Sequence, residues 1–284
     1  MDSFPELRNY YLSEMNSDLT LVVEGHRLPA HRFVLAAKSP VFNAMFYGDL
    51  MESTAREVDI REAPVDAFRV MLRYIYSERF EMDNDKDFQQ AIQVFKLGHR
   101  YQLHRLVQYI EQYLITMLKK HNYIRLSDTI TSASYDDFLR SRRFDNSLLS
   151  VIDNIATIYE FAVLYELTEL VNACQRFIAK NSKLIVKKKS YLTESFDTME
   201  SILGLMQTNP AVIVQALQKI RDQHPGADMS QFERLVNFDT CSVDDIQSVR
   251  TIRLFSDDKL FDVLIAKYKT LQLEMNKVVK DRRA

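Results

Sequence analysis

The feature that most constrains the fold is a short segment, residues 18–29, whose patterning differs from the rest of the chain. Apolar residues occupy every second position from Leu19 to Val23, which predicts a half-buried strand. Gly25 follows and can adopt the positive φ that a tight two-residue turn requires. The next residues predict a short returning strand. We expect Pro29 to end it, because proline cannot donate a ladder hydrogen bond.

Helical periodicity dominates the chain outside this segment and a further predicted strand at 57–60. A representative stripe with the spacing i, i+3, i+4, i+7 is formed by Phe68, Met71, Leu72 and Ile75. From residue 151 onward, the apolar stripes also have helical spacing. The sequence therefore predicts an α+β fold that is mostly α, with a small sheet near the N-terminus and an all-helical second half.

Local sequence patterns also predict which residues lie on a helix face, in a connection or at a helix start. Phe33 is expected to share the apolar face of the first helix with Ala36 and Ala37. The run Lys187–Lys189 is expected in a polar connection, with a nuclear-import signal as the alternative. Ser256, followed by two aspartates, predicts the start of the last helix. That helix is expected to carry an apolar stripe formed by Leu260, Phe261, Leu264, Ile265, Tyr268 and Leu271.

Composition excludes several classes of function. The 284 residues have a net charge of −2, whereas nucleic acids and anionic membranes favour a strong positive excess. The five glycines are too far apart for a phosphate-binding loop, and two cysteines cannot form a disulfide framework or a four-ligand zinc site. No apolar run approaches the ~20 residues of a membrane span. We therefore expect no nucleic-acid partner, no membrane partner and no cofactor.

Histidine and cysteine give weak signals for catalysis or metal binding. Two histidine pairs are five residues apart, His26 with His31 and His99 with His104. On a helix this spacing places the two side chains about 140° apart, so neither pair can hold one metal ion. Cys174 lies in an apolar stripe and is expected to be buried, whereas Cys241 is expected to be more exposed. We expect no catalytic residue, no metal site and no enzymatic activity.

The opening third of the chain resembles a known family. Residues 18–42 read DLTLVVEGHRLPAHRFVLAAKSPVF, which resembles the opening of BTB/POZ domains. The resemblance continues through Phe46–Ser53, the predicted strand at 57–60 and the segment Leu72–Ser77. It is specific because many separated positions match in order. In place of the family's Ala-x-x-Tyr, this chain has Gly98-His-Arg-Tyr.

The resemblance implies a domain organisation. Residues 15–120 would form the BTB/POZ domain, preceded by an N-terminal dimer-exchange segment at 1–14. The helical region 151–275 resembles a BACK domain less specifically, since it lacks the family's usual tryptophan. Residues 121–150 are rich in Ser, Thr, Asp and Arg and are interpreted as an insertion. The chain looks most like the BTB–BACK half of the group called BTB/POZ domain-containing protein nine.

The resemblance also implies a homodimer. Residues expected at the dimer interface are Phe4, Leu7, Asp18, Leu19 and Arg32. Asp18 and Arg32 match the charged pocket of the family, and their positions would allow a carboxylate to meet a guanidinium. The alternative is that Asp18 only begins a strand and that Arg32 points to water.

A second implied partner is cullin-3. Leu50-Met-Glu52 matches the hydrophobic-x-Glu motif by which BTB adaptors engage this protein. Such a motif suits recognition, because an apolar anchor can fill a pocket while an adjacent acid selects a polar or basic group. The alternative is an ordinary connection between a helix and a strand. Further residues expected at this contact, which could equally lie in the core, are Phe46, Tyr47, Tyr74 and Tyr101.

These implications favour a dimeric, non-enzymatic adaptor that brings an unidentified protein substrate to a cullin-3 ubiquitin ligase for ubiquitination. The alternative is a BTB oligomerisation scaffold without ligase function, in transcription or in the cytoskeleton. An enzyme of unrecognised type is a third hypothesis, which the lack of Gly-rich or metal-ligand clusters disfavours. We expect a cytoplasmic location, with the nucleus as an additional one.

Overall fold

The computed structural model describes residues 5–82, 88–121, 146–193, 195–206, 210–238, 241, 249–250, 252 and 254–281. These residues form two compact units. The first unit comprises the described residues up to Val151 together with Phe161–Leu170. The second comprises Ile152–Glu160 and the described residues from Val171 onward. Residues 122–145, and with them most of the predicted insertion, lie outside the described residues.

Within the described residues, the first unit contains a three-stranded sheet with the order β2-β1-β3. Strands β1 (Leu19–Val23) and β2 (His26–Ala30) are antiparallel, whereas β3 (Glu57–Ile60) runs parallel to β1. The turn between β1 and β2 has φ values of 49° at Glu24 and 78° at Gly25. Two positive φ values in succession are typical of the type I′ turn that joins hairpin strands. The predicted hairpin and the third strand are confirmed.

Pro29 lies inside β2, where it is paired with Thr20, so the prediction that it ends the strand is wrong. Because β2 is at the edge of the sheet, a proline there can direct its nitrogen away from β1 without breaking a ladder hydrogen bond. The hairpin turn is also tied to a later helix, since a carboxylate oxygen of Glu24 accepts a hydrogen bond from the Val65 N–H at 3.0 Å.

Five helices accompany this sheet: α1 (Arg32–Lys38), α2 (Pro40–Tyr47), α3 (Val65–Ser77), α4 (Phe88–Arg100) and α5 (His104–His121). Short 3-10 helices span Pro5–Tyr10 and Met51–Ser53. The stripe predicted on α3 is buried, as expected. On α1, however, Val34 and Leu35 are buried, whereas Phe33 is 74% exposed. The predicted apolar face of α1 is therefore wrong.

The chain continues with helices α6 (Asn146–Leu164), α7 (Thr168–Lys188), α8 (Phe196–Leu205), α9 (Pro210–Gln223) and α10 (Asp257–Asp281), and a 3-10 helix at Ser230–Leu235. Lys187 and Lys188 belong to the last turn of α7, so only Lys189 lies in the predicted connection. Cys241 is buried, contrary to prediction, and so is Cys174, as predicted. Burial raises the pKa of the Cys174 thiol.

The last helix begins where the sequence predicts, since the Lys259 N–H donates to Oγ of Ser256 at 3.3 Å. Leu260 is buried beneath its first turn. The remainder of the described stripe is exposed, and it comprises Phe261, Leu264, Ile265 and Tyr268. Helical spacing thus identifies the residues that share this face, but not whether other parts of the chain cover it.

Candidate functional site

Three large apolar side chains of the first unit are exposed close together, in and beside the connection between α2 and β3. Tyr47 ends α2, and the side chains of Leu50 and Met51 are 50% and 88% exposed. The main chain forms a 3-10 turn in which the Ser53 N–H and Oγ both donate to the Leu50 carbonyl, at 3.0 and 2.6 Å. Glu52 is half-buried. We call residues 48–55 the α2–β3 connection.

Arg32, at the start of α1, holds this connection in place. Its Nη1 donates to the carbonyl oxygens of Glu52 and Ser53, at 3.0 and 3.2 Å, and its Nη2 donates to the carbonyl oxygen of Ala55. The guanidinium carbon lies 5.1 Å from the ring centroid of Phe46, within range of a cation–π interaction. Because one planar group binds three carbonyls, the turn that presents Leu50 has a fixed conformation.

Asp18 contacts the main chain of Arg32 and not, as was predicted, the guanidinium. Its Oδ1 accepts a hydrogen bond from the main-chain N–H of Arg32 at 2.8 Å. That N–H is at the first turn of α1, where no helical carbonyl is available to accept it. The expected contact between carboxylate and guanidinium is therefore replaced by two separate interactions: Asp18 caps α1, and the guanidinium binds the α2–β3 connection. The alternative that Arg32 only points to water is also wrong.

The other aromatic residues predicted for this surface lie beneath it. Tyr47 is exposed, whereas Phe46, Tyr74 and Tyr101 are buried. The Phe42 ring stacks on Phe46 at 5.6 Å and on Tyr101 at 4.3 Å between centroids. Burial raises the pKa of Tyr101 to about 12. Phe46 and Tyr101 therefore form an internal support, which is the alternative that the sequence left open for them.

Tyr74 lies elsewhere in the first unit, near the C-terminal end of α3. Its ring meets that of Tyr109 edge to face at 6.2 Å. Burial, together with the nearby Tyr109 and Glu78, raises its pKa to about 12. In this chain Tyr74 has the surroundings of a core residue.

The remaining residues predicted at a dimer interface occupy different environments. Phe4 lies outside the described residues. Leu7 is half-buried in the first 3-10 helix, and Leu19 is buried in β1. Leu19 therefore contributes to the core of the first unit, whereas Leu7 keeps part of its side chain exposed.

A buried polar network around His31 was missed by sequence reasoning, which tested this residue only as a metal ligand. The main-chain N–H of His31 donates to the Tyr76 hydroxyl at 3.0 Å, and Nδ1 lies 2.9 Å from the same oxygen. Nε2 lies 2.9 Å from the carbonyl oxygen of Met15. Since a carbonyl can only accept, Nε2 carries the proton and Nδ1 accepts from Tyr76. The network connects Met15 to α3. In the sequence, it was indicated only by the Ala30-His31 pair, which is part of the BTB/POZ pattern.

The described residues contain no group of three or more His, Cys, Asp or Glu side chains placed to hold a metal ion. None of the helices among them is both long enough and apolar enough to cross a bilayer. The chemistry available at the α2–β3 connection is that of recognition: exposed apolar side chains on a fixed turn, followed by the half-buried residue Glu52.

Comparison with known proteins agrees with the pattern in the sequence. The family model for the BTB/POZ domain matches residues 7–118. BTB/POZ domain-containing protein 9 of Drosophila melanogaster is 31% identical over 193 residues, which are 68% of this chain and 22% of that protein. The protein of the same name from Homo sapiens is 24% identical over 271 residues, 93% of this chain and 39% of that protein.

Among solved structures, the BTB domain of human gigaxonin matches with a TM-score of 0.33 and 21% identity, over 39% of this chain and 86% of that one. The chain spans between about a fifth and two-fifths of the length of the two relatives named above. The α+β, mostly helical fold is confirmed, and so is the resemblance of the opening third to BTB/POZ domains. The resemblance of residues 151–275 to a BACK domain stays a prediction. Residues 7–118 of this chain are a BTB/POZ domain, and the chain is similar to BTB/POZ domain-containing protein 9.

Proposed function

We propose that this protein is a dimeric, non-enzymatic adaptor that recruits a protein substrate to a cullin-3 ubiquitin ligase. BTB/POZ domains are typically modules for protein interaction rather than catalysts, which supports the adaptor part of the proposal. The observation that carries the cullin part is the position of Leu50: it is half exposed, on a turn that Arg32 fixes, at the family's hydrophobic-x-Glu motif.

Preorganisation is what makes this turn suitable for binding. An apolar side chain that is already held outward loses little conformational entropy when it enters a partner's pocket. Met51 adds a flexible, exposed thioether beside it, which can adapt to the shape of that pocket. We therefore assign Leu50 as the principal anchor and Met51 as an adjacent contact.

Glu52 has a more limited role in the proposal. Its carbonyl oxygen is bound by Arg32, so its main chain is fixed, and the half-buried residue follows Leu50 by two positions in the chain. A carboxylate in this position would select a partner with a polar or basic group next to its apolar pocket. It would contribute more to specificity than to affinity.

Dimerisation and location complete the proposal. Pairing of two chains through the N-terminal segment would present two substrates to one ligase and raise their effective concentration. Ubiquitin transfer would then depend on proximity, with no catalytic residue supplied by this chain. We place the protein in the cytoplasm, and additionally in the nucleus.

The cullin assignment is tested by measuring the affinity of the full chain for the N-terminal domain of cullin-3. We expect Leu50→Ala to weaken binding by about thirtyfold, as is usual for the loss of a central anchor, and the double variant with Glu52→Ala to weaken it further. Leu264→Ala is the matched control, because it removes the same exposed side chain from α10. Equal affinity in all these variants, each folded, would place the contact elsewhere, and no binding by the parent would favour the scaffold alternative.

The dimer is tested by light scattering at micromolar concentration. We expect about twice the chain mass of 33.3 kDa. A mass close to that of one chain throughout this range would exclude the dimer while leaving the cullin measurement independent of it.

A further inference from the structure

We propose that the free edge of β3, together with the cavity beside it, binds an extended peptide segment in which basic and apolar side chains alternate. The cavity shares Met51 and Glu52 with the α2–β3 connection, but Leu50, the proposed anchor for cullin-3, does not line it. In such binding the peptide adds a strand to an exposed sheet edge, so that main-chain hydrogen bonds supply affinity and side-chain pockets supply specificity.

The register of the sheet shows which main-chain groups are available. Within the described sheet, β3 pairs only with β1, so its other side is an edge. The Thr20 N–H donates to the Arg56 carbonyl at 2.9 Å, and Thr20 lies opposite Glu57. In a parallel ladder with this pattern, Val58 bonds to β1, while the residues on either side of it turn their N–H and C=O groups outward. The main-chain groups of Glu57 and Asp59 therefore point away from β1, toward an incoming strand.

A cavity of about 570 Å³ lies along this edge. Its apolar lining includes Met45, Met51 and Tyr101, so part of the wall rests on the aromatic stack below the α2–β3 connection. This volume is enough for more than one aliphatic side chain of a bound segment. A strand added to the edge would direct every second side chain to the inner side of the sheet, where Val58 and Ile60 already face the core.

Charge identifies the rest of the occupant. Three acidic residues line the cavity, Glu52, Glu57 and Asp59, against one basic residue, Arg61. Glu57 and Asp59 are exposed on the outer side of the strand, where alternate side chains of a bound strand would meet them. Lysine or arginine at those positions would therefore be favoured.

The existing ion pairs at this edge, and the charges on a second copy of β3, both bear on what can bind there. Glu57 has an exposed ion pair with Arg27 at 2.7 Å, and Asp59 has one with Arg61 at 3.3 Å. Such surface pairs contribute little to stability and can exchange partners with a bound lysine. A second copy of β3 paired antiparallel about Val58 would place Glu57 opposite the partner's Asp59. Pairing about Glu57 or about Asp59 would place that acidic residue opposite its own copy. Like charges directly opposite one another are destabilising. The basic–apolar segment is for this reason the occupant that we propose.

The probe is a fluorescein-labelled heptapeptide in which lysine alternates with valine or leucine, titrated into the full chain. Controls are a peptide of the same composition with its lysines grouped together, and one in which glutamate replaces lysine. We expect the alternating peptide to bind at least about tenfold more tightly than either control, because only it matches both the charge and the two-residue period.

The edge itself is tested with Asp59→Pro. Proline removes the outward N–H but leaves the ladder to β1 intact, because the ladder donors belong to Val58 and Ile60. We expect Asp59→Pro to weaken the alternating peptide about tenfold, and Asp59→Asn, which keeps the N–H, to weaken it about threefold. If the proline variant fails to fold, amide hydrogen exchange of the parent replaces it: saturation with peptide should slow exchange at residues 57 and 59.

Three results would overturn the proposal. The first is equal affinity for the alternating and the grouped peptide, and the second is unchanged amide exchange at residues 57 and 59 at saturation. The third is that, without peptide, Asp59→Pro forms an assembly of fewer chains than the parent does. The last result would make a second copy of the chain the occupant. Leu50→Ala should leave peptide affinity unchanged, because Leu50 does not line the cavity. Failure of the cullin proposal and failure of this one are thus distinguishable.

Discussion

The two compact units expose apolar side chains in different ways. In the first unit, Tyr47, Leu50 and Met51 are exposed within five residues of one another, in and beside an irregular connection. In the second, the exposed residues from Phe261 to Tyr268 lie on one face of a regular helix. The connection that carries Leu50 and Met51 is held by hydrogen bonds from a distant side chain, Arg32, whereas the spacing of the second set follows the helical period of α10.

This difference separates two kinds of sequence signal. Periodicity predicts which residues share a face, and it does so correctly on α10, but it does not say whether anything covers that face. A family motif can place an exposed residue in an irregular segment where periodicity has no meaning. The α2–β3 connection is therefore the segment for which we propose an interaction, and four predictions test whether the contrast is physical.

Arg32→Ala should have the largest effect. It removes hydrogen bonds from one charged group to three carbonyl oxygens, together with the contact on Phe46. We expect the free energy of unfolding of the first unit to fall by about 3 kcal/mol, and Leu50 to lose its fixed position. Urea unfolding, together with the affinity for cullin-3, measures both effects.

Arg27→Ala is the matched control, because it removes an arginine whose ion pair with Glu57 is exposed. Its effect should stay below about 1 kcal/mol. If both substitutions have equally small effects, the α2–β3 connection is not held by Arg32, and the contrast between the two units fails.

The role of Arg32 illustrates what the sequence could and could not predict. The hairpin, β3 and the stripe on α3 follow from local patterns, because each is decided by residues adjacent in the chain or one helical turn apart. The guanidinium, however, binds carbonyls 20 to 23 residues away, and carbonyls have no signature in a sequence. The family motif marked Arg32 as important, but the contact it makes within this chain could be identified only from the structure.

Tyr101 tests the aromatic support below the connection. Its pKa is raised by burial to about 12 in the folded protein, against about 10 in an unfolded chain. The unfolded state therefore loses the proton first, and stability should fall as the pH rises from about 10 towards 12. We expect a loss of about 1.4 kcal/mol for each pH unit in this window.

Tyr101→Phe should remove this contribution, so its free energy of unfolding should decline less steeply between pH 10 and pH 12 than that of the parent. Urea unfolding at several pH values measures the two slopes. Identical slopes would mean that Tyr101 ionises as freely in the folded protein as in the unfolded chain. Tyr101 would then not be buried in the aromatic stack with Phe42.

Asp18→Ala should have a smaller effect. The substitution leaves the Arg32 N–H at the start of α1 without its carboxylate acceptor, as in the loss of a helix cap. We expect a decrease of about 1 kcal/mol in the free energy of unfolding, with Asp18→Asn closer to the parent because its side-chain oxygen can still accept. If Asp18→Ala instead disrupts the protein as severely as Arg32→Ala, the two residues act as one unit after all.

The candidate site was predictable only in part, because packing between residues far apart in the chain leaves no local pattern in the sequence. Leu50 and Glu52 were identified by a motif, and the burial of Phe46 and Tyr101 was an alternative that only packing could decide. A large aromatic side chain near a loop can lie on either side of the surface, because its hydrophobicity favours burial in the core and in an interface equally. The stack on Phe42 decides this for both residues.

The smallest effect is expected on α10. Leu264 is 39% exposed, whereas Leu260, one helical turn earlier on the same helix, is 3% exposed. Leu264→Ala should change the free energy of unfolding by no more than about 0.5 kcal/mol, because it removes few contacts and leaves no cavity. Leu260→Ala should cost about 2–5 kcal/mol, as is usual for a leucine in a packed core. Urea unfolding of both variants, followed through the transition of the second unit, provides the measurement. A large cost at Leu264 would show that its face is covered in solution, and the contrast between the fixed connection and the uncovered helix would then have to be abandoned.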